Sequence, residues 1–138
     1  MTLSHPALVH VPLGLSVGLP LLAVALLALT WTGRLPHRAW LLAAGLQLVV
    51  TGAGKVAEEL GERDEEHAER MAPESAIHEH EELAEQFLAS SAIPLVLLGL
   101  AGGLPAGQLA RGAAVLGTLG TLVTAGAGYR VGHAGGEL

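Results

Sequence analysis

The residues that could do chemistry crowd into one stretch, Lys55–Gln86. It holds twelve of the thirteen carboxylates and three of the seven histidines of a 138-residue chain. Neutral imidazoles and carboxylates together suit a transition-metal ion: Zn, Fe, Mn, Ni or Cu(II). Ala72-Pro73 interrupts the stretch, so it reads as two helices forming an antiparallel hairpin. On the outgoing helix Leu60, Asp64, His67 and Met71 follow a 4-3-4 spacing, which places them on one stripe. Ala76, His80, Leu83 and Phe87 do the same on the return. Pairing by position sets His67 opposite His80, with Asp64 one turn away, in a seam that is otherwise apolar. Glu62 and Glu66, and then His78, Glu81, Glu82 and Glu85, flank it as further ligands. The return helix carries five Glu and no base, a repulsion that a bound cation would relieve. The plainer alternatives are solvated charged faces for the Glu residues, and a polar or pH-sensing contact for the two seam histidines.

A second set lies at the chain ends. His5 and His10 lie at the start of the first apolar run, and His133 follows the last. Histidines from different helices at one membrane level could bind a haem b axially, or simply cap helices among the lipid headgroups.

What must position these residues is hydrocarbon. The chain is 51% hydrophobic and 14% charged, and long stretches have no charge at all. Four of them approach the roughly 20 residues a transmembrane helix needs. The expected spans are about 8–31, 39–57, 87–104 and 112–130, with an extramembrane hairpin at about 56–86. The fold class is therefore an all-α, four-helix transmembrane bundle, a single integral membrane domain. Its helices 2 and 3 extend into a polar antiparallel helical hairpin. Pro12 and Pro20 should bend the first helix and Pro94 the third, with the Ser90 hydroxyl helping to satisfy the carbonyl that Pro94 frees. Gly14-x-x-x-Gly18, Ala113-x-x-x-Gly117 and Gly128-x-x-x-Gly132 offer smooth faces for helix contact. Trp31 and Trp40 flank Arg34 and Arg38 like an interfacial aromatic belt. The ending Gly132–Leu138 reads as too glycine-rich for regular structure.

Four spans put both termini and the hairpin on one side. Arg34, Arg38 and Arg111 fall on the other, in short acid-free loops. The positive-inside rule then places the His/Glu end outside, in a bacterial inner membrane. Cysteine is absent, which excludes disulfides and thiolate sites. With no basic stripe, nucleic acid is not an expected partner. No nucleophile–base pattern or phosphate loop points to an enzyme.

The opening His5-Pro6-Ala7-Leu8-Val9-His10-Val11-Pro12-Leu13-Gly14-Leu15 resembles the HPxxVHxPxGL motif of a bacterial family of small, four-span membrane proteins of unknown function. The ending Gly128-Tyr129-Arg130-Val131-Gly132-His133-Ala134-Gly135-Gly136-Glu137-Leu138 is similar to that family's Gly/His-rich terminus, and His80-Glu81-Glu82 is similar to the hairpin of some members. Some relatives are fused to cytochrome c-like domains, so the resemblance implies redox work at the outer membrane face. It assigns no ligands.

The leading expectation is a small membrane protein that binds a transition-metal ion or metal cofactor at its outer face, in redox or metal handling. The alternatives are a b-type haem electron carrier and a ligand-free structural or pH-sensing scaffold. Expected partners are the lipid bilayer, the metal or haem, and a second copy of the chain or a redox protein.

Overall fold

In a bilayer an uncharged Leu/Ala/Val run has no water to satisfy its peptide groups, so helix is the open route. The computed structural model describes the backbone of residues 5–68, 70 and 72–137, and the side chains of 10–63, 70 and 72–136. Its helices are α1 (His5–Trp31), α2 (Trp40–Ala68), α3 (Glu74–Gly103) and α4 (Gln108–Glu137), with one 3-10 turn at His37–Ala39 ahead of α2. No strand occurs among the described residues. All four helices are long and apolar enough to cross a membrane. They pack as a ring in which each contacts the next and α4 closes back on α1; α3 and α4 share the largest interface.

The bundle is apolar outside and small or polar inside. Val17, Leu21, Val24, Leu42, Leu48, Ile93, Val96, Leu119 and Val123 are all exposed. The buried set is rich in Ala, with Ser16, Gln47, Ser91, Thr118, Thr121 and Thr124 among it. Lipid matches the aliphatic exterior, and small residues let the backbones approach closely. An α-carbon substituent at Gly117 would come within 2.9 Å of Leu98, and one at Gly120 within 2.9 Å of Pro94. Gly117 and Gly120 therefore work inside the bundle, the first as its spacing from Ala113 suggests. Gly14 and Gly18 do not: nothing lies within 4 Å of either, and that face of α1 points outward.

Two helix boundaries have a local cause. Gly33 takes φ 71°, and the amides of Gly33 and Arg34 bond back to the carbonyls of Thr30 (3.3 Å) and Leu29 (2.9 Å). That is the Schellman stop, which favours glycine because a left-handed residue closes it. Pro73 holds extended backbone immediately before α3.

Three expectations need correction. The glycine-rich ending is helical: α4 continues to Glu137. Each Gly costs roughly 1 kcal/mol in a helix relative to Ala. Here the missing side chains let Leu13 approach Gly132 and His80 approach Gly135, and that packing offsets the cost. Trp40 is only 2% exposed, so it belongs to the core while Trp31 alone faces outward. At Pro94, the carbonyl of Ser90 accepts from Thr124 Oγ1 of α4 at 3.0 Å; the Ser90 hydroxyl donates instead to Phe87 O at 2.8 Å.

Candidate functional site

Both α3 and α4 contain 30 residues, which is about 45 Å of helix against a hydrocarbon thickness of about 30 Å. The surplus is about 15 Å, under three turns, and the charged start of α3 fills it with Glu74, His78, Glu79, His80, Glu81 and Glu82, with Glu85 at its edge. The α3 side facing the bundle is Ile77, Leu83, Phe87 and Ser91, with the half-buried His80 between the first two. The predicted stripe thus holds at His80, Leu83 and Phe87, while Ile77 takes the place expected of Ala76. On α2 the inward positions Val50, Gly54 and Ala57 lead to the half-buried Leu60.

The structure separates the candidate ligands by accessibility. His78 is 83% exposed at its side chain and Glu81 44%, with His78 Nδ1 3.9 Å from Glu81 Oε2 one turn on. Glu62, Glu82 and Glu85 are exposed. His80 turns toward α4, where a side chain at Gly135 would meet its Cε1 at 3.0 Å. The backbone of Asp64, Glu66 and His67 is helical in α2, but their side chains lie outside the described residues. The same holds for His5. The expected His67–His80 pairing therefore has only its His80 half on view. Among the described residues no three His, Asp or Glu side chains come together as a metal-binding group.

One feature of the electrostatics comes from α4, not from the hairpin. Arg130 Nη1 donates to Gln86 Oε1 at 3.5 Å, and Gln86 Nε2 donates to Glu82 Oε1 at 3.5 Å. These long contacts bring a guanidinium to the return helix, which has no base of its own. On α2, Lys55 pairs with Glu58 within one turn.

Of the second set, His133 borders an α1–α4 groove. Leu13, Val17, Gly128, Tyr129, Gly132 and His133 line it, and its volume is about 280 Å³. That lies just under the roughly 300–1,000 Å³ of pockets that bury a drug-sized ligand. His133 stacks parallel on Tyr129, with ring centroids 6.1 Å apart and 2° between planes. His10 and His133 are both exposed. Neither ring is enclosed as an axial haem ligand would be.

Sequence reading passed over Gln47. It is fully buried in the second span, and its Nε2 donates to Ser91 O at 2.9 Å. Thr51 Oγ1 donates to Ser91 Oγ at 3.0 Å beside it. The Gln47 Oε1 atom is buried with no hydrogen-bond partner among the described residues. The available signal was a lone amide in an otherwise apolar span, which marks a polar contact between helices. Comparison with known protein families, with curated proteins and with solved structures finds no match to the chain.

Proposed function

We propose that this chain is an integral membrane protein that takes up a transition-metal cation at its His/Glu-rich end and hands it on. The observation that carries the reading is the His78–Glu81 pair, 3.9 Å apart on adjoining turns and open to solvent. One imidazole and one carboxylate form a nucleus that needs further ligands. Asp64, Glu66 and His67, across the break at Ala72-Pro73, are the candidates on the other arm of the hairpin to supply them. Openness favours exchange, so the proposal is metal handling, not a resident redox centre. The acids around the pair raise the local cation concentration and steer cations to it. The HPxxVHxPxGL-like opening supports kinship with the small four-span family, and the arginine-bearing loops support an outward-facing metal end.

The test is equilibrium dialysis of Zn²⁺ and Ni²⁺ against detergent-extracted, chelator-stripped protein. One ion per chain should bind. Loss of an imidazole ligand in His78→Ala, or of both in His67→Ala with His78→Ala, should weaken it by at least about tenfold, since even outer-shell partners of metal ligands have effects of this size. Unchanged binding in the double variant would sink the reading.

A second reading rests on His80. Its ring packs on the α4 backbone at Gly135, so protonation there could alter how the α3 and α4 extensions dock. This describes a pH-responsive scaffold without a ligand. Chemical shifts of the α4 end that follow pH in isotope-labelled wild type but not in His80→Gln would favour it.

A further inference from the structure

The end of the bundle opposite the acids carries a different chemistry. Every Asp and Glu lies at 58–85 or at 137, so the two loops at this end have none. They bring Arg34, His37, Arg38 and Arg111 together at one membrane face. Among the described residues, none of the three arginines has an ion-pair partner at this end.

A cavity of about 240 Å³ opens beside His37 and Arg111. Its polar lining is Thr30, His37 and Arg111, and its aromatic walls are Trp31 and Trp40. The Thr30 hydroxyl is already engaged, donating to Leu26 O at 2.7 Å, which leaves Arg111 and His37 to define the chemistry. Gly107, just before α4, and Ala110, in its first turn, complete one side. That turn has no acidic residue, and Gly107 has no side chain with which to cap it. The Arg111 amide bonds to Gly107 O at 3.0 Å, so the amides just before it are the unclaimed donors of the helix start. The dipole of a 30-residue helix adds positive potential at the same place.

We propose that this cavity binds the phosphate of an anionic phospholipid headgroup. Arg111 would hold the phosphate, with His37 and the first α4 amides as further donors. Trp31 is 59% exposed and lies where an indole sits at the lipid–water boundary. The acyl chains would run down the exposed aliphatic surface of the bundle. The occupant is a lipid and not a soluble anion because the cavity sits at the end of four membrane-length helices. Basic pockets between spans on the arginine-rich side are where acidic lipids are held. This inference is independent of the metal reading, which concerns the other end.

The experiment is native mass spectrometry of the whole chain, released from detergent with equal amounts of phosphatidylglycerol and phosphatidylcholine. The wild type should retain phosphatidylglycerol preferentially. Arg111→Gln should lower that preference about fivefold, the effect of one basic residue near an anionic surface. Arg130→Gln, at the acidic end, should leave it intact. An absent preference in the wild type, or equal loss in the two variants, would overturn the proposal. Displacement of the lipid by millimolar inorganic phosphate would make this a soluble-anion site and overturn the lipid assignment. Should Arg111→Gln lose its helicity, salt gives a second reading on the wild type. At about 1 M salt the Debye length is about 3 Å, so the preference should largely vanish; an undiminished preference would count against a charge-based site.

Discussion

Thr124→Val tests how the bundle tolerates Pro94. Proline has no N–H, so the carbonyl of Ser90, four residues back, loses its helical partner. The Thr124 hydroxyl reaches that carbonyl at 3.0 Å across the α3–α4 interface. Valine keeps the shape and removes the donor. A buried carbonyl left unsatisfied costs roughly 1–3 kcal/mol. Interhelical bonds within membranes measure lower, about 0.6 kcal/mol on average and up to about 1.7. Thr124 also shares its one proton with Gly120 O at 3.1 Å, which argues for the lower range. The expected cost is therefore about 0.5–1.5 kcal/mol. In a Pro94→Ala background residue 94 regains an N–H that can bond Ser90 O, and the cost of Thr124→Val should shrink to a few tenths. Packing lost when Pro94 leaves Gly120 cancels in the cycle, because it appears in both proteins that carry Pro94→Ala. Reversible unfolding in mixed detergent micelles, followed by circular dichroism, measures all four proteins. If Thr124→Val cost the same with and without Pro94, within about 0.3 kcal/mol, the hydroxyl would not be serving the proline-freed carbonyl.

Other substitutions separate the two glycine faces and the buried amide. At Gly128 a side chain would meet Ser16 Oγ at 2.8 Å and Phe87 at 3.2 Å, so Gly128→Ala should destabilise by about 1–3 kcal/mol in the same unfolding assay. Gly14→Ala has open space and should be neutral or stabilising by up to about 1 kcal/mol. Gln47→Leu deletes the bond to Ser91 O but also the unsatisfied Oε1, and the two effects should leave a net change under about 1 kcal/mol. Metal loading should be greater at about pH 8 than at about pH 5, because imidazole and carboxylate ligands bind only when deprotonated; dialysis at the two pH values reads this directly.

The spans were legible because bilayer thickness imposes a length on uncharged runs, and Ala72-Pro73 and Gly33 mark breaks by backbone rules that act locally. Rotation about each helix axis was harder to read. Gly14-x-x-x-Gly18 and Gly128-x-x-x-Gly132 carry the same pattern, yet only the second meets a neighbour, since which face turns inward depends on all four helices together. Trp40 shows the same limit: indole suits an interface, but the 3-10 turn at His37–Ala39 starts α2 with this residue facing the core. The α4 ending was misjudged for a related reason. Glycine disfavours an isolated helix, but at Gly132 and Gly135 it admits Leu13 and His80 against the backbone. At the candidate site the sequence located the chemistry and the stripe through His80, Leu83 and Phe87. It could not show that His80 leans on α4, or that Arg130 from α4 reaches the acidic helix, because both contacts join segments more than 40 residues apart.

Absence of cysteine makes single introduced thiols clean reporters of topology. Ser75→Cys and Gly136→Cys sit in exposed positions at the acidic end, and Thr32→Cys and Gly107→Cys in exposed positions at the arginine end. The measurement is labelling of intact cells and of inverted vesicles with a membrane-impermeant maleimide. A four-span bundle with an outward acidic end requires 75 and 136 to label only in intact cells, and 32 and 107 only in inverted vesicles. Labelling of 75 and 32 from the same side would contradict the four-span arrangement on which both the metal end and the lipid end depend.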